Sequence, residues 1–186
     1  MEVLGAIKSR RSVRRYKTTP VDGKTLELVL EAAQWAPSWA NTQCWRFIVV
    51  RDTRTKDELA DALIWHTADA HNPAIEAIRN APVVIIACAE LKKSGYYRGE
   101  PTTDKDDWYM FDVALAMQNL ALAAHSLGLG TVHVGLFDAR KVASILEVPE
   151  GFCAVSMTPL GYPDRESRPV PRKELSEIIF YDKFST

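Results

Sequence analysis

The residues best able to do chemistry gather near the N-terminus. The stretch "KSRRSVRRYK", residues 8 to 17, puts Arg10, Arg11, Arg14 and Arg15 inside six positions, with Ser12 among them. Guanidinium groups at that density call for an anion, whether a polymer, a membrane surface or one small phosphate. Alone, such a run also reads as a solvated charged face. The loop "PSWANTQC" is a second candidate, because Asn41 and Gln43 carry amides that donate and accept without a titrating charge. Their ordinary alternative is loop capping. A third is the glycine cluster "GLGTVHVG". A dinucleotide-binding turn follows a strand and opens a helix, so that phosphate meets the helix N-terminus. Here the glycines follow a helical pattern and precede a strand, which reads as a helix stop.

Other chemistries find little support. Neither GxxxxGK[ST], GxSxG nor HExxH occurs. His66 and His71 are five apart, out of helical register for a shared metal, and no carboxylate cluster joins them, so no metal site is expected. His125 reads as a satisfied core or interface residue. Cys44, Cys88 and Cys153 are too few and too scattered for a disulfide framework or a zinc site. The 23 Lys plus Arg against 24 Asp plus Glu, with a sequence pI near 6.4, argue against a long nucleic acid as partner. No run approaches the roughly 20 apolar residues of a membrane span. The opening "MEVLGAIKSRR" carries its charge after a short apolar piece, the reverse of a signal peptide. A cytoplasmic protein is the expectation.

At 186 residues, without repeat, linker or low-complexity tract, residues 1–186 are expected to form one domain. A first helix is predicted from Val3 to about Arg11. A second follows "TTPVDGK", with Leu26, Val29, Leu30 and Ala33 at helical spacing and Pro37 ending it. "WRFIVV" reads as a strand, "TKDELADALIWH" as a helix, and "NPAIEAIRN" as a helix with Asn72 at N-cap and Pro73 at N1. "APVVIIACAE" reads as a strand buried on both faces. Residues 92 to 107 are a polar surface excursion. The Ala-rich "DDWYMFDVALAMQNLALAAHSLGLG" is the longest helix, apolar nearly all round and therefore buried, with Gly128 at C′. "TVHVGLF" is a third strand, Asp138 caps a short helix, and "FCAVSMTPLGYP" is a fourth strand. The tail "PVPRKELSEIIFYDKFST" is apolar enough to need a surface to cover. Four strands among five or six helices fit either parallel βαβ units or a mixed sheet wrapped by helices.

Taken in order, "RRSVRRY", "APSWANTQCWRFIVV", "APVVIIACA", "FDVALAMQNLALAAHSLGLGT", "VHVGLF" and "LGYPDRESRPVPRKELSEIIFYD" span nearly the whole chain. This ordered set resembles the nitroreductase family of FMN-dependent NAD(P)H oxidoreductases. The resemblance implies an α+β fold, a mixed and largely antiparallel sheet wrapped by helices. It also implies a homodimer with FMN at the interface and a C-terminal extension onto the partner. Arg10, Arg11, Ser12 and Arg14 match the basic pocket that holds the flavin phosphate, and Arg172 an arginine that closes on it. Arg15 is left as a solvated charge.

Pro37, Ser38, Trp39, Asn41 and Gln43 match the segment that reaches the flavin ring from the partner subunit. His133, Gly135 and Leu136 match the stretch beside flavin N5. Trp39 would stack on the ring or pack at the dimer interface; Asn72 falls near the N1–C2 edge, and any lid must come from residues 92 to 107. The implied reaction moves hydride from NADH or NADPH through flavin N5 to an electron-poor acceptor such as a nitroaromatic or quinone. No side chain is assigned as catalytic acid or base. The alternatives are a specialised dehydrogenase or dehalogenase of the same fold, and a non-catalytic FMN-binding or storage protein.

Overall fold

The computed structural model describes residues 2–64 and 72–184; the histidine pair His66 and His71 lies outside them. Helix α1 covers Val3–Ser9 and α2 covers Gly23–Gln34, opened by Asp22, whose carboxylate accepts the Thr25 N–H. Strand β1 is Trp45–Val50, followed by α3 (Thr53–Ala60) and α4 (Pro73–Asn80). Asn72 caps α4 by accepting the Ala74 N–H at 2.9 Å, with Pro73 at the position where a missing N–H costs nothing. Strand β2 is Val83–Glu90. A small ribbon of β3 (Tyr96–Tyr97) and β4 (Glu100–Pro101) decorates the polar excursion. Then come α5 (Tyr109–Ser126), β5 (Gly130–Thr131), α6 (Ala139–Ile145) and β6 (Phe152–Gly161).

The main sheet runs β1-β2-β6-β5, and every one of those pairs is antiparallel. Parallel βαβ units are therefore ruled out. Among the described residues the parallel component is a single bridge between Ser12 and Thr131. Strand β2 explains why the sequence showed no alternation: each of its faces meets helices. Val84, Ile86 and Cys88 pack with Leu59 of α3, Ala77 and Ile78 of α4, and Val142 of α6. Val83, Ile85 and Ala87 pack on the other side with Val29 of α2 and with Val113, Met117 and Leu120 of α5. The molecule has three layers, helix–sheet–helix.

Four expected elements differ. Helix α3 stops at Ala60 instead of running on through "DALIWH", because Leu63 leaves to bridge Phe137. The first helix ends at Ser9 rather than Arg11, because the chain must become extended to pair with Thr131. The third strand is not "TVHVGLF" but the pair Gly130–Thr131 plus an isolated bridge from Val134 to Met157. Helix α5 is not buried all round. Val113, Ala116, Leu120 and Ala124 face the core, while Met110 and Phe111 are 58% and 56% exposed. Gly128 does stand just past that helix in the left-handed region, at φ 79°.

Candidate functional site

The segment that follows α1 runs extended along the sheet edge, held by isolated bridges from Ser12 to Thr131 and from Tyr16 to Pro163. The Val13 N–H donates to the Thr131 carbonyl at 2.9 Å, and the Lys17 N–H to the Tyr162 carbonyl at 2.9 Å. Val13 and Tyr16 turn into the core, and the Tyr16 hydroxyl donates to the Val13 carbonyl at 2.5 Å. Burial raises the Tyr16 pKa, so this donor keeps its proton. With those two side chains inward, Ser12, Arg14 and Arg15 are left at the surface. Gly130 permits the contact: a Cβ there would stand 2.6 Å from the Val13 side chain. Close backbone approach thus sits inside the cluster "GLGTVHVG", beside the helix stop at Gly128.

A cleft of about 940 Å³ opens over this segment. Arg10, Arg11, Ser12 and Arg14 line it, as does Arg172 from the tail. The structure therefore gathers in one place the five residues assigned to phosphate. Arg15, left as a solvated charge, is exposed and lines the same cleft. Four more charged residues went unpredicted: Arg165, Glu166 and Arg168 arrive from the chain beyond β6, and Glu76 comes from α4. The two chain segments are tied where the Asp164 N–H donates to the Arg15 carbonyl at 3.1 Å. No sequence spacing links residue 15 to residue 165; the antiparallel bridge of Tyr16 with Pro163, just past β6, brings them together.

Among the described residues none of these arginines makes an ion pair. Arg11 donates to the carbonyls of Lys8 and Arg10 at 2.7 and 2.8 Å. Arg172 reaches the carbonyls of Val170 and Pro171, both at 3.2 Å. Such a donor set suits a phosphate, whose oxygens accept parallel N–H pairs from a guanidinium fork.

The loop "PSWANTQ" lies elsewhere. Pro37, Ser38 and Trp39 line a second hollow with Trp108, Phe111 and Leu115 that shares no lining residue with the arginine cleft. Trp39 packs on Trp108 with ring centroids 5.7 Å apart. The loop is strained, with Ala40, Asn41 and Gln43 at φ 43°, 55° and 48°. It is anchored by Asp112 of α5, whose carboxylate is 1% exposed and accepts the Trp39 N–H at 3.1 Å to each oxygen. The same carboxylate accepts the Ser94 hydroxyl at 2.6 Å, and the Cys44 thiol lies 3.8 Å away. Burial first, and then the Asp112 charge, push the Cys44 thiol up to about 12, so it is not a nucleophile. Ser38 accepts the Gln43 N–H, and the Gln43 amide donates to Asn41 at 3.2 Å. Both amide side chains remain at the surface. Asp112 escaped the sequence reading because a lone Asp in an Ala-rich helix looks like an exposed polar position.

His133, Gly135 and Leu136 follow β5. The His133 ring lies 3.2 Å from the Thr158 hydroxyl. Desolvation, then the nearby Arg10 charge, lower its pKa and favour neutral imidazole. Gly135 is exposed, and a Cβ there would meet nothing within 4 Å. Its small size therefore answers to no contact within the chain. The Leu136 carbonyl accepts the Ile64 N–H at 3.2 Å. Asn72, which lies in the region where the family places a basic side chain without itself matching one, spends its side-chain oxygen on capping α4. The described residues hold no group of three or more His, Cys, Asp or Glu suited to a metal. No described helix is long and apolar enough to cross a membrane.

Comparison with known proteins converges on one group. Residues 7–162 match the Nitroreductase family. A Thermus thermophilus protein named NADH dehydrogenase is 30% identical over 197 residues, covering 92% of this chain and 92% of its own length. The 5,6-dimethylbenzimidazole synthase of Rhodospirillum rubrum is 31% identical, covering 89% and 83% respectively. Among solved structures, an FMN-dependent nitroreductase from Clostridium difficile superposes with a TM-score of 0.79 at 25% identity, over 97% of this chain and 99% of that one.

Proposed function

From the premise that the chain belongs to the nitroreductase family, we propose that it is an FMN-dependent NAD(P)H oxidoreductase acting on an electron-poor acceptor such as a nitroaromatic or quinone. The observation that carries this reading is the arginine cleft, whose donors lack carboxylate partners among the described residues. When bound, FMN supplies the redox chemistry, taking hydride from a reduced nicotinamide and passing two electrons on. The chain's own residues bind and orient. Arg10, Arg11, Ser12, Arg14 and Arg172 hold the phosphate. Asn41 and Gln43 offer amides suited to the polar edge of a flavin ring, and Pro37, Ser38 and Trp39 fix their loop. Neutral His133, with the backbone at Gly135 and Leu136, completes the surface facing the cofactor.

Amide loop and arginine cleft line separate hollows of one chain, which suits a site shared between two copies. Residues 1–186 act in this reading as one FMN-binding domain in a homodimer. The apolar residues a single chain leaves exposed support it: Met110 and Phe111 on α5, and Leu175, Ile178, Tyr181 and Phe184 on the tail. A reducing cytoplasm suits three free thiols. The likeness to 5,6-dimethylbenzimidazole synthase keeps a specialised flavin-dependent reaction as the second reading.

The test begins with colour. The purified protein is expected to be yellow, to release FMN at about one per chain, and to bleach anaerobically on adding NADH or NADPH. A nitroaromatic or quinone then restores the colour. A protein that takes up no FMN overturns the cofactor and the site together. Flavin that both reductants leave oxidised overturns the reductase, and a flavin-loaded monomer on sizing overturns the shared site.

A further inference from the structure

The cleft holds more positive charge than one phosphate uses. Four arginines come from the 10–15 segment and three from the 165–172 segment, against the carboxylates of Glu76 and Glu166. A phosphate monoester carries at most two charges on three terminal oxygens, and a single fork occupies two of those. Arg10, Arg11, Arg14, Ser12 and Arg172 already exceed that need. Arg15, Arg165 and Arg168 are left over; Arg15 belongs to the segment that already holds the phosphate set, whereas Arg165 and Arg168 stand together on the segment beyond β6. Among the described residues neither makes a side-chain hydrogen bond or an ion pair, although both border the same space. Like charges gathered in a concave surface repel one another unless an anion arrives. The cleft, about 940 Å³ and at the upper end for a small-molecule site, has room beyond the phosphate that the flavin also draws on.

The chemistry of the reaction narrows what that anion is. Nitroaromatic and quinone acceptors bring no required charge, whereas the reductant always brings phosphates. NADH and NADPH share their pyrophosphate and differ only at the ribose 2′ position, where arginine is a suitable partner for a phosphate. We propose that Arg165 and Arg168 form a second anion subsite that takes the 2′-phosphate of the reductant and makes this enzyme prefer NADPH. This rests on the oxidoreductase reading above and goes beyond it by naming the reductant and the residues that select it.

The flavin-loaded protein is mixed anaerobically with NADPH or NADH at low and at moderate salt, and the rate of flavin reduction is followed. NADPH is expected to be more efficient by about tenfold or more at low salt, a preference that shrinks as salt screens the subsite. In the double variant Arg165→Gln/Arg168→Gln the ratio falls towards one through loss of NADPH efficiency, with FMN content retained. Equal use of the two reductants by the unaltered protein overturns the subsite. So does a variant that loses both equally, or one that loses its FMN, since the two arginines then belong to the flavin phosphate. Competition between adenosine 2′,5′-bisphosphate and adenosine 5′-diphosphate reads the subsite without any variant and without flavin. Tighter binding of the 2′-phosphorylated probe is expected, and equal binding overturns the proposal. Retained selectivity in a protein that takes up no FMN would instead locate the failure in the oxidoreductase reading.

Discussion

Replacing Asp112 by alanine is expected to be among the most damaging single changes outside the sheet core. The wild-type carboxylate is buried and holds two other elements to α5. One is the loop at Trp39, through an N–H shared by both oxygens at 3.1 Å; the other is the excursion at Ser94, through a 2.6 Å hydroxyl bond. A hydrogen bond to a charged acceptor contributes about 1.5–3 kcal/mol, and a buried donor left without a partner costs roughly 1–3 kcal/mol. Ser94 is fully buried, so its hydroxyl finds no water when the carboxylate goes. Asp112→Ala should therefore lose roughly 3–5 kcal/mol of stability. Asp112→Asn keeps one oxygen for the Trp39 N–H and gains an amide that can donate to Ser94, so about 1–2 kcal/mol is expected. Urea melts of the three proteins at one pH give the comparison. Near-UV circular dichroism supplies a local reading, since the loop carries Trp39 against Trp108. An alanine variant within about 1 kcal/mol of wild type, or no more damaged than the asparagine variant, would show that the carboxylate does not hold the loop.

Other expectations follow from the same packing. Gly130→Ala puts a methyl 2.6 Å from Val13, so the arginine segment must shift; a loss of about 1–3 kcal/mol is expected, together with weaker FMN uptake. Unchanged urea midpoint and FMN titration would contradict that contact. Arg14→Gln should weaken FMN binding by roughly tenfold to a hundredfold in a flavin fluorescence titration, with the urea midpoint unmoved. An unchanged affinity removes Arg14 from the phosphate set. Above neutrality, burial holds Cys44 near 12 and Cys88 near 11, whereas an unfolded thiol ionises near 8.5. The unfolded chain then binds fewer protons than the folded one, so stability is full below about pH 8.5 and declines towards 11 and 12. The limit is about 1.4 kcal/mol per pH unit for each thiol. Urea melts at stepped pH should show that decline, and Cys44→Ala should flatten it; a slope untouched by the substitution assigns the effect elsewhere.

What could be read in advance was what local chemistry dictates. Asn72–Pro73 and Asp138 open helices because a short acceptor followed by a compatible backbone does so in most surroundings. Strand β2 could be recognised as doubly buried because the seven positions before Glu90 are apolar or small and have no polar face to show. The valines of "TVHVGLF" misled for a related reason. Val132 and Val134 are buried, but β-branched residues report burial more faithfully than they report a ladder, and the pairing there lapses after Thr131. Arg165 and Arg168 were invisible because their meaning lies in a neighbour some 150 positions away. Asp112 was invisible because helical spacing says which face a residue occupies, not which loop crosses that face. Antiparallel order could not be read either, since the helix and strand pattern allows both arrangements.

The separation of the arginine cleft from the amide loop has a genetic corollary. In a centre assembled across two chains, a lesion in the cleft and a lesion in the loop disable different halves. Arg14→Gln and Asn41→Ala chains, each poorly active alone, would pair into mixed dimers in which one centre inherits both lesions and the other inherits neither. Co-expression of the two should therefore restore activity that neither supplies alone, a case of complementation between alleles of a single gene. Two lesions confined to the cleft, such as Arg10→Gln and Arg14→Gln, should not rescue each other.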